Sequence, residues 1–300
     1  MKTPYAAHRA FVQPALGASF GAVLVIIVAM EASFFMTPWL VIAVLPADLA
    51  TAFENGSTPL SALAQLFSFA FVAVSLCIMV RSLHGRGFWS MVGPARPTTQ
   101  HMKIAGLAVF WLLLAREFLP PWIAFDELAV TRPVIGWAVW IIPTIGALIV
   151  QAGTEELYFR GYLQQQFAVM SNSKWVWMGL PSLLFGLGHY YNGIGPADSV
   201  LYVLWATLLG VACADLTART GNIGAAVGLH VSNNLFAFMI VSEIDMPSNG
   251  LALFLYPATD YSAYDYGLQT LADPWVIPEL LILALSVGVM WLAARIGLRA

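Results

Sequence analysis

Apolar residues run almost unbroken through eight segments, near 17–45, 59–80, 104–124, 134–154, 175–191, 199–216, 222–243 and 275–296, and the gaps between them carry Pro, Gly, Asn or charge. About 20 residues at 1.5 Å rise cover the roughly 30 Å of bilayer hydrocarbon, so each segment predicts a membrane-spanning helix, with 175–191 the marginal one. No internal repeat or soluble domain is visible, and the longest gap runs only from 244 to 274. The pattern therefore predicts an all-α polytopic membrane protein of about eight transmembrane helices, a single membrane domain over residues 1–300. The first segment is too long for a secretory signal, carries Glu31 in its middle and lacks a cleavage site, so it is expected to be retained.

Composition strengthens this picture. With 60% hydrophobic and 10% charged residues, the chain has more apolar surface than one water-soluble core would hide. The net charge of -3 and the scattered basic residues exclude a nucleic-acid surface. Cys77 and Cys213 lie in apolar stretches without metal-ligand spacing and read as small core residues. Lys and Arg near span ends prefer the cytoplasmic side. An inside N-terminus places Lys2, Arg9, Arg81, Arg86, Arg96, Lys103, Arg160, Lys174, Arg219, Arg295 and Arg299 there, leaving Arg116 and Arg132 outside. The expected protein is a multi-pass one of the inner or plasma membrane with both termini cytoplasmic. The basic and aromatic stretch 85–97 is expected to be an interfacial loop.

Against this apolar background three pieces stand out, Glu155-Glu156-x-x-x-Arg160, Phe185-x-x-x-His189 and His230-x-x-x-Asn234, within a motif-bearing core of about 135–243. Ionisable groups at a bilayer centre cost roughly 2.5–3.5 kcal/mol each, which makes them candidates for function. The polar break Ser171-Asn172-Ser173-Lys174 predicts an antiparallel helical pair in which Glu155 and His189, each 17 residues from position 172, share one height. The third motif reaches that height if the pair projects further into the cytoplasm, which the polar Gln164, Gln165 and Gln166 favour. The expected site lies inside the membrane, nearer its cytoplasmic face.

Glu156 and Arg160 are four apart, as are His230 and Asn234, so each pair shares a helical face. Adjacent Glu155 and Glu156 point about 100° apart, which assigns one carboxylate to a catalytic water and the other to Arg160. A buried carboxylate beside an imidazole activates water: Glu155 is the candidate base, with His189 orienting the water or taking its proton. His230 and the Asn234 amide are candidate donors to an oxyanion. The same atoms also fit a metal site, in which Glu155, His189 and His230 would hold Zn2+. Phe185 reads as packing against the site. Glu31, Glu117 with Arg116, Asp215 with Arg219, and Glu279 are not expected to take part directly, and Pro143 and Pro181 are expected to bend their helices.

The three motifs in this order resemble those of the CAAX protease and bacteriocin-processing (CPBP, or Abi) family, intramembrane endopeptidases built from eight transmembrane helices that include the type II CAAX prenyl proteases. The resemblance covers residues 153–234. It implies an endopeptidase acting on peptide or membrane-protein substrates, with Glu155 as general base, His189 orienting the water, and His230 and Asn234 on the oxyanion side. It also leaves open a glutamic or a metal-dependent mechanism. A proton-coupled transporter or a non-proteolytic membrane scaffold or immunity factor are the alternative classes. The lipid bilayer is the expected environment; oligomeric state and substrate identity are not expressed in the sequence.

Overall fold

The computed structural model describes residues 5–120, 122–260 and 267–299. Lys2 and the 261–266 part of the 244–274 gap lie outside the described residues. The chain opens with a short helix α1 (Ala6–Val12), then α2 (Phe20–Val44), α3 (Ala47–Asn55), α4 (Pro59–His84), the single turn α5 (Trp89–Val92) and α6 (Ala95–Arg116). Next come α7 (Val134–Ala138), α8 (Ile141–Glu156), a π-helical stretch Leu157–Leu163 and α9 (Gln164–Met170). A second π stretch, Trp175–Gly179, leads into α10 (Leu180–Leu187), followed by α11 (Pro196–Thr220), α12 (Gly224–Met239) and α13 (Val276–Leu298). Local chemistry sets several of these boundaries. A Thr58–Ser61 capping box starts α4, and Gly85 and Gly221, at φ +66° and +68°, end α4 and α11 in the left-handed conformation that glycine adopts without strain.

The all-α expectation needs one correction. Strands β1 (Val130–Thr131), β2 (Val241–Glu243) and β3 (Phe254–Tyr256) form a small sheet in the order β1-β3-β2, with β1 antiparallel and β2 parallel to β3. Arg132 fastens it by donating to the carbonyls of Asn249, Gly250 and Ala252, and the Trp137 indole donates to Met239 and Leu251. Strand β3 belongs to the long 244–274 gap, where the sequence shows no strand-length run, and β2 occupies the end of the segment expected at 222–243.

Among the described residues, five helices are long and apolar enough to cross a membrane: Phe20–Val44, Pro59–His84, Val134–Met170, Pro196–Thr220 and Val276–Leu298. The other three expected spans take different forms. The segment expected at 104–124 is α6, which starts at Ala95 and stops at Arg116. The segment expected at 175–191 breaks into a π turn and an eight-residue helix, leaving His189 beyond its C-terminus. Pro181 supplies a reason, since its ring clashes with the carbonyl four residues back and it lacks an N–H for the α ladder. The segment expected at 222–243 gives α12, which ends at Met239 before β2.

Small residues let the motif helices approach closely. A Cβ at Gly228 would overlap Met102 O and Gly106 N, one at Gly224 would overlap Thr98 O, and Ser232 donates to Gly106 O at 2.8 Å. Gly224, Gly228 and Ser232 thus form a stripe, four residues apart, that seats α12 on α6, the arrangement small residues favour between membrane helices. Likewise Gly186 admits Thr207 and Val203 O, seating α10 on α11. The 85–97 segment differs from a simple interfacial loop. Phe88 and Trp89 are exposed, but Met91, Val92 and Arg86 are buried, Met91 O lies against Gly161, and Arg86 donates to Gln165 Oε1.

Candidate active site

The first motif straddles a change of helix type. Glu155 and Glu156 end α8, and Arg160 lies in the π stretch that follows; such wider turns recur at functional sites. The Glu156 and Arg160 side chains are completely buried, and Arg160 Nη1 donates to Glu156 Oε1 at 3.1 Å. The Arg160 guanidinium also lies 4.6 Å from the centre of the Phe185 ring, while Gly210 leaves room for its Nη2. A buried charge needs a counter-charge, and Arg160 supplies that of Glu156.

His230, from α12, enters between the two glutamates. Its Nδ1 is 2.9 Å from Glu156 Oε1, and its Nε2 is 3.5 Å from Glu155 Oε2. Glu156 accepts at Oε1 from both Arg160 and His230, while the Cys213 thiol donates to Ala226 O. The Oε2 atoms of both glutamates are buried and make no hydrogen bond within the protein. The adjacent glutamates differ in how they are held: Glu156 is tied by two donors, whereas Glu155 faces His230 Nε2 at 3.5 Å.

His189 and Asn234 join this centre less directly. His189 Nδ1 is 2.7 Å from Phe185 O. A carbonyl only accepts, so Nδ1 carries the proton and, in the neutral ring, Nε2 keeps its lone pair. The Phe185 ring packs at 4.5 Å centroid distance on His189 and at 5.7 Å, edge-on, against His230, so it fills the space joining the two imidazoles. Asn234 donates through Nδ2 to Gln151 Oε1 at 3.0 Å and accepts at Oδ1 from Asn233. Asn233 in turn lines a cavity of about 260 Å³ with Arg116, Glu117 and Phe236.

The structure brings Glu155, Glu156, Arg160 and His230 into one cluster, reaches His189 through Phe185, and reaches Asn234 through Gln151. Gln151 is a site residue missing from the sequence reading. Its signal was present: it precedes Glu155 by four residues and so extends that polar face by one turn of α8. Glu31, in α2, accepts from Tyr158 Oη at 3.0 Å and so ties α2 to the π stretch. Asp215 accepts from Arg219, Tyr5 and Trp291, fastening α1 and α13 to α11.

The metal alternative does not fit this arrangement. Among the described residues no group of three or more His, Cys, Asp or Glu side chains is placed to hold a metal ion. The expected set of Glu155, His189 and His230 is not assembled: His230 Nε2 approaches Glu155 at 3.5 Å, while His189 meets the Phe185 ring and carbonyl.

Comparison with known proteins agrees with the motifs. The family model described as type II CAAX prenyl endopeptidase Rce1-like matches residues 136–236, a stretch containing all three. The uncharacterized protein YyaK of Bacillus subtilis (strain 168) is 23% identical over 185 residues, which covers 61% of this chain and 62% of that protein. No solved structure matches.

Proposed function

We propose, from the Rce1-like match over residues 136–236, that this multi-pass membrane protein is an intramembrane endopeptidase in which Glu155 activates water without a metal ion. The observation that carries the reading is the placement of His230 between the two glutamates, with Glu156 tied to Arg160 and to His230 Nδ1 and with Glu155 facing Nε2 of the same ring at 3.5 Å. With His230 carrying both ring protons, Glu155, Glu156, Arg160 and His230 sum to zero charge, as a buried cluster requires. His230 then donates from Nδ1 to Glu156, which holds the ring, and offers its Nε2–H towards the reacting centre.

In the hydrolysis, Glu155 takes a proton from water as the water oxygen adds to the substrate carbonyl carbon. The negative charge that develops on the carbonyl oxygen is met by the His230 Nε2–H and by the Asn234 amide proton not used on Gln151. The proton then passes to the amide nitrogen as the C–N bond breaks. His189, its tautomer fixed by Phe185 O, presents the Nε2 lone pair that accepts from the water and orients it. Arg160 and Phe185 act on the site through Glu156 and the two imidazoles. With α6, α12 and the segment that breaks at Pro181 added to the five longer helices, eight segments surround the site, and both termini face the cytoplasm. The substrates are peptides or membrane proteins whose scissile bond reaches this depth.

The test compares membranes holding wild type and Glu155→Gln by quantitative mapping of new protein ends, with and without a strong chelator. The wild type is expected to generate ends that fall by roughly 10²–10⁴-fold in the variant, the range of a general base, and that persist with chelator. Ends that vanish with chelator would replace the water-activating glutamate with a metal. Ends that do not depend on Glu155 would remove the endopeptidase reading and leave a membrane scaffold.

A further inference from the structure

The mechanism needs the His189 ring held in one orientation, yet its α10 ends two residues before it and Phe185 O supplies a single hydrogen bond. The remaining support comes from the first turns of α11. Tyr202 lies stacked on His189, with ring centroids 6.2 Å apart and planes at 10°, whereas the Phe185 ring meets His189 tilted at 55°. Aromatic pairs at this separation and offset attract and fix one another's planes. The chain after His189 turns through the short 3-10 helix Tyr190–Asn192 on its way to α11.

Two further contacts hold the same loop to α11. Ile194 N donates to Asp198 Oδ2 at 2.9 Å, and a Cβ at Gly193 would collide with Ser199 N and Cα. Asp198 and Tyr202 are four residues apart and therefore share one face of α11, the face against which the chain after His189 is clamped.

We infer that Tyr202 is a positioning residue for this reaction: its flat ring holds the imidazole of His189 so that Nε2 meets the water that Glu155 activates. The inference rests on the endopeptidase reading for its consequence in catalysis but not for the stacking itself. It identifies the flat face, rather than the hydroxyl, as the working part of Tyr202. Exchange for Phe should preserve the function and exchange for an aliphatic residue should not.

The experiment pairs two readouts on full-length protein in detergent micelles: ¹⁵N spectra of the histidine rings, with His189 assigned through His189→Asn, and turnover of a substrate found by the end-mapping above. Wild type and Tyr202→Phe are expected to show His189 protonated at Nδ1, with kcat within about threefold of one another. Tyr202→Leu is expected to draw the two His189 nitrogens towards averaged positions and to lower kcat at least about tenfold at unchanged KM, as a misplaced catalytic group would. Tyr202→Met, which fills the space without a flat face, replaces the Leu variant if that fails to fold. His189 spectra or a kcat unaffected by loss of the ring would overturn the inference, as would equal losses in Phe and Leu. Turnover that ignores Glu155→Gln would instead overturn the endopeptidase reading, and the His189 spectra would still decide the stacking.

Discussion

Helices α11 and α13 have nearly the same length and apolar character, with hydropathies of 1.8 and 2.2 over their most apolar windows, yet 56% of that window is buried in α11 and only 11% in α13. Apolarity alone does not decide which helix is inside, because lipid tails solvate a leucine as well as a protein interior does. Small and polar residues decide it. Along α11 the buried positions include Gly210, which admits Ser182, Cys213, which donates to Ala226 O, and Asp215, which accepts from Tyr5 and Trp291. Along α13 only Val287, Met290 and Ala294 are buried, a narrow seam, while Leu281, Ile282 and Leu285 are exposed and face lipid. The polar centre at Glu156 is thus held by packing that lipid cannot replace, and the outer helices by contacts that it can.

The sharpest way to break this contrast is Arg160→Met. It leaves Glu156 buried beside His230 without its guanidinium, and removing one member of a buried pair costs about 3–5 kcal/mol. Unfolding by denaturant in mixed micelles should show that loss together with lost proteolysis. The double variant Arg160→Met with Glu156→Gln should recover much of the stability but none of the activity. A single variant as stable as wild type would mean that the cluster is wet and that burial does not govern it.

Much of that cluster was legible in the sequence, for a physical reason. Charged residues inside apolar runs are costly enough to mark a site, and the i,i+4 spacing of Glu156 with Arg160 carried through to a real ion pair. What could not be read was how the helices depart from regularity. The π stretches and the early end of α10 shift His189 relative to any count at 1.5 Å per residue, so the equal spacing of Glu155 and His189 from position 172 did not describe their meeting. Gln164, Gln165 and Gln166 read as a solvated projection, yet all three are buried, and Gln164 and Gln165 hydrogen-bond towards α1, α11 and the 86–90 segment. A glutamine with buried partners looks the same in sequence as one in water. The small sheet was missed because two- and three-residue strands carry no periodicity.

A second prediction probes the rim of the same core, where α1 lies against α9 and α11. His8 is buried there, its ring 4.4 Å from that of Trp177 and beside Gln164, and with no carboxylate bonded to it. Burial holds it neutral and lowers its pKa from the ordinary 6.5 to about 4. The unfolded chain then binds the proton that the folded one refuses. The stabilisation is complete above pH 6.5 and is lost as pH falls through 6.5 towards 4, by about 3 kcal/mol in all. His8→Gln should flatten that part of the stability–pH curve in the same micelles, and an unchanged slope would show that α1 lifts off the core before His8 titrates.

The smallest expected effect lies on α13. Leu285 is 65% exposed, so in a bilayer its side chain leaves lipid for lipid when the protein unfolds within the membrane. Leu285→Ala should therefore change stability by less than about 0.5 kcal/mol, as for a surface substitution away from caps, pairs and cavities. Met290, on the buried seam of the same helix, is 3% exposed and provides the internal control: Met290→Ala opens a cavity against α6 and should cost about 2–5 kcal/mol. The contrast between the two faces is the one between α13 and α11, tested within a single helix. A cost above about 1 kcal/mol at Leu285 would mean that another protein surface, rather than lipid, covers this face, and α13 would then belong with α11 among the helices that protein contacts hold in place.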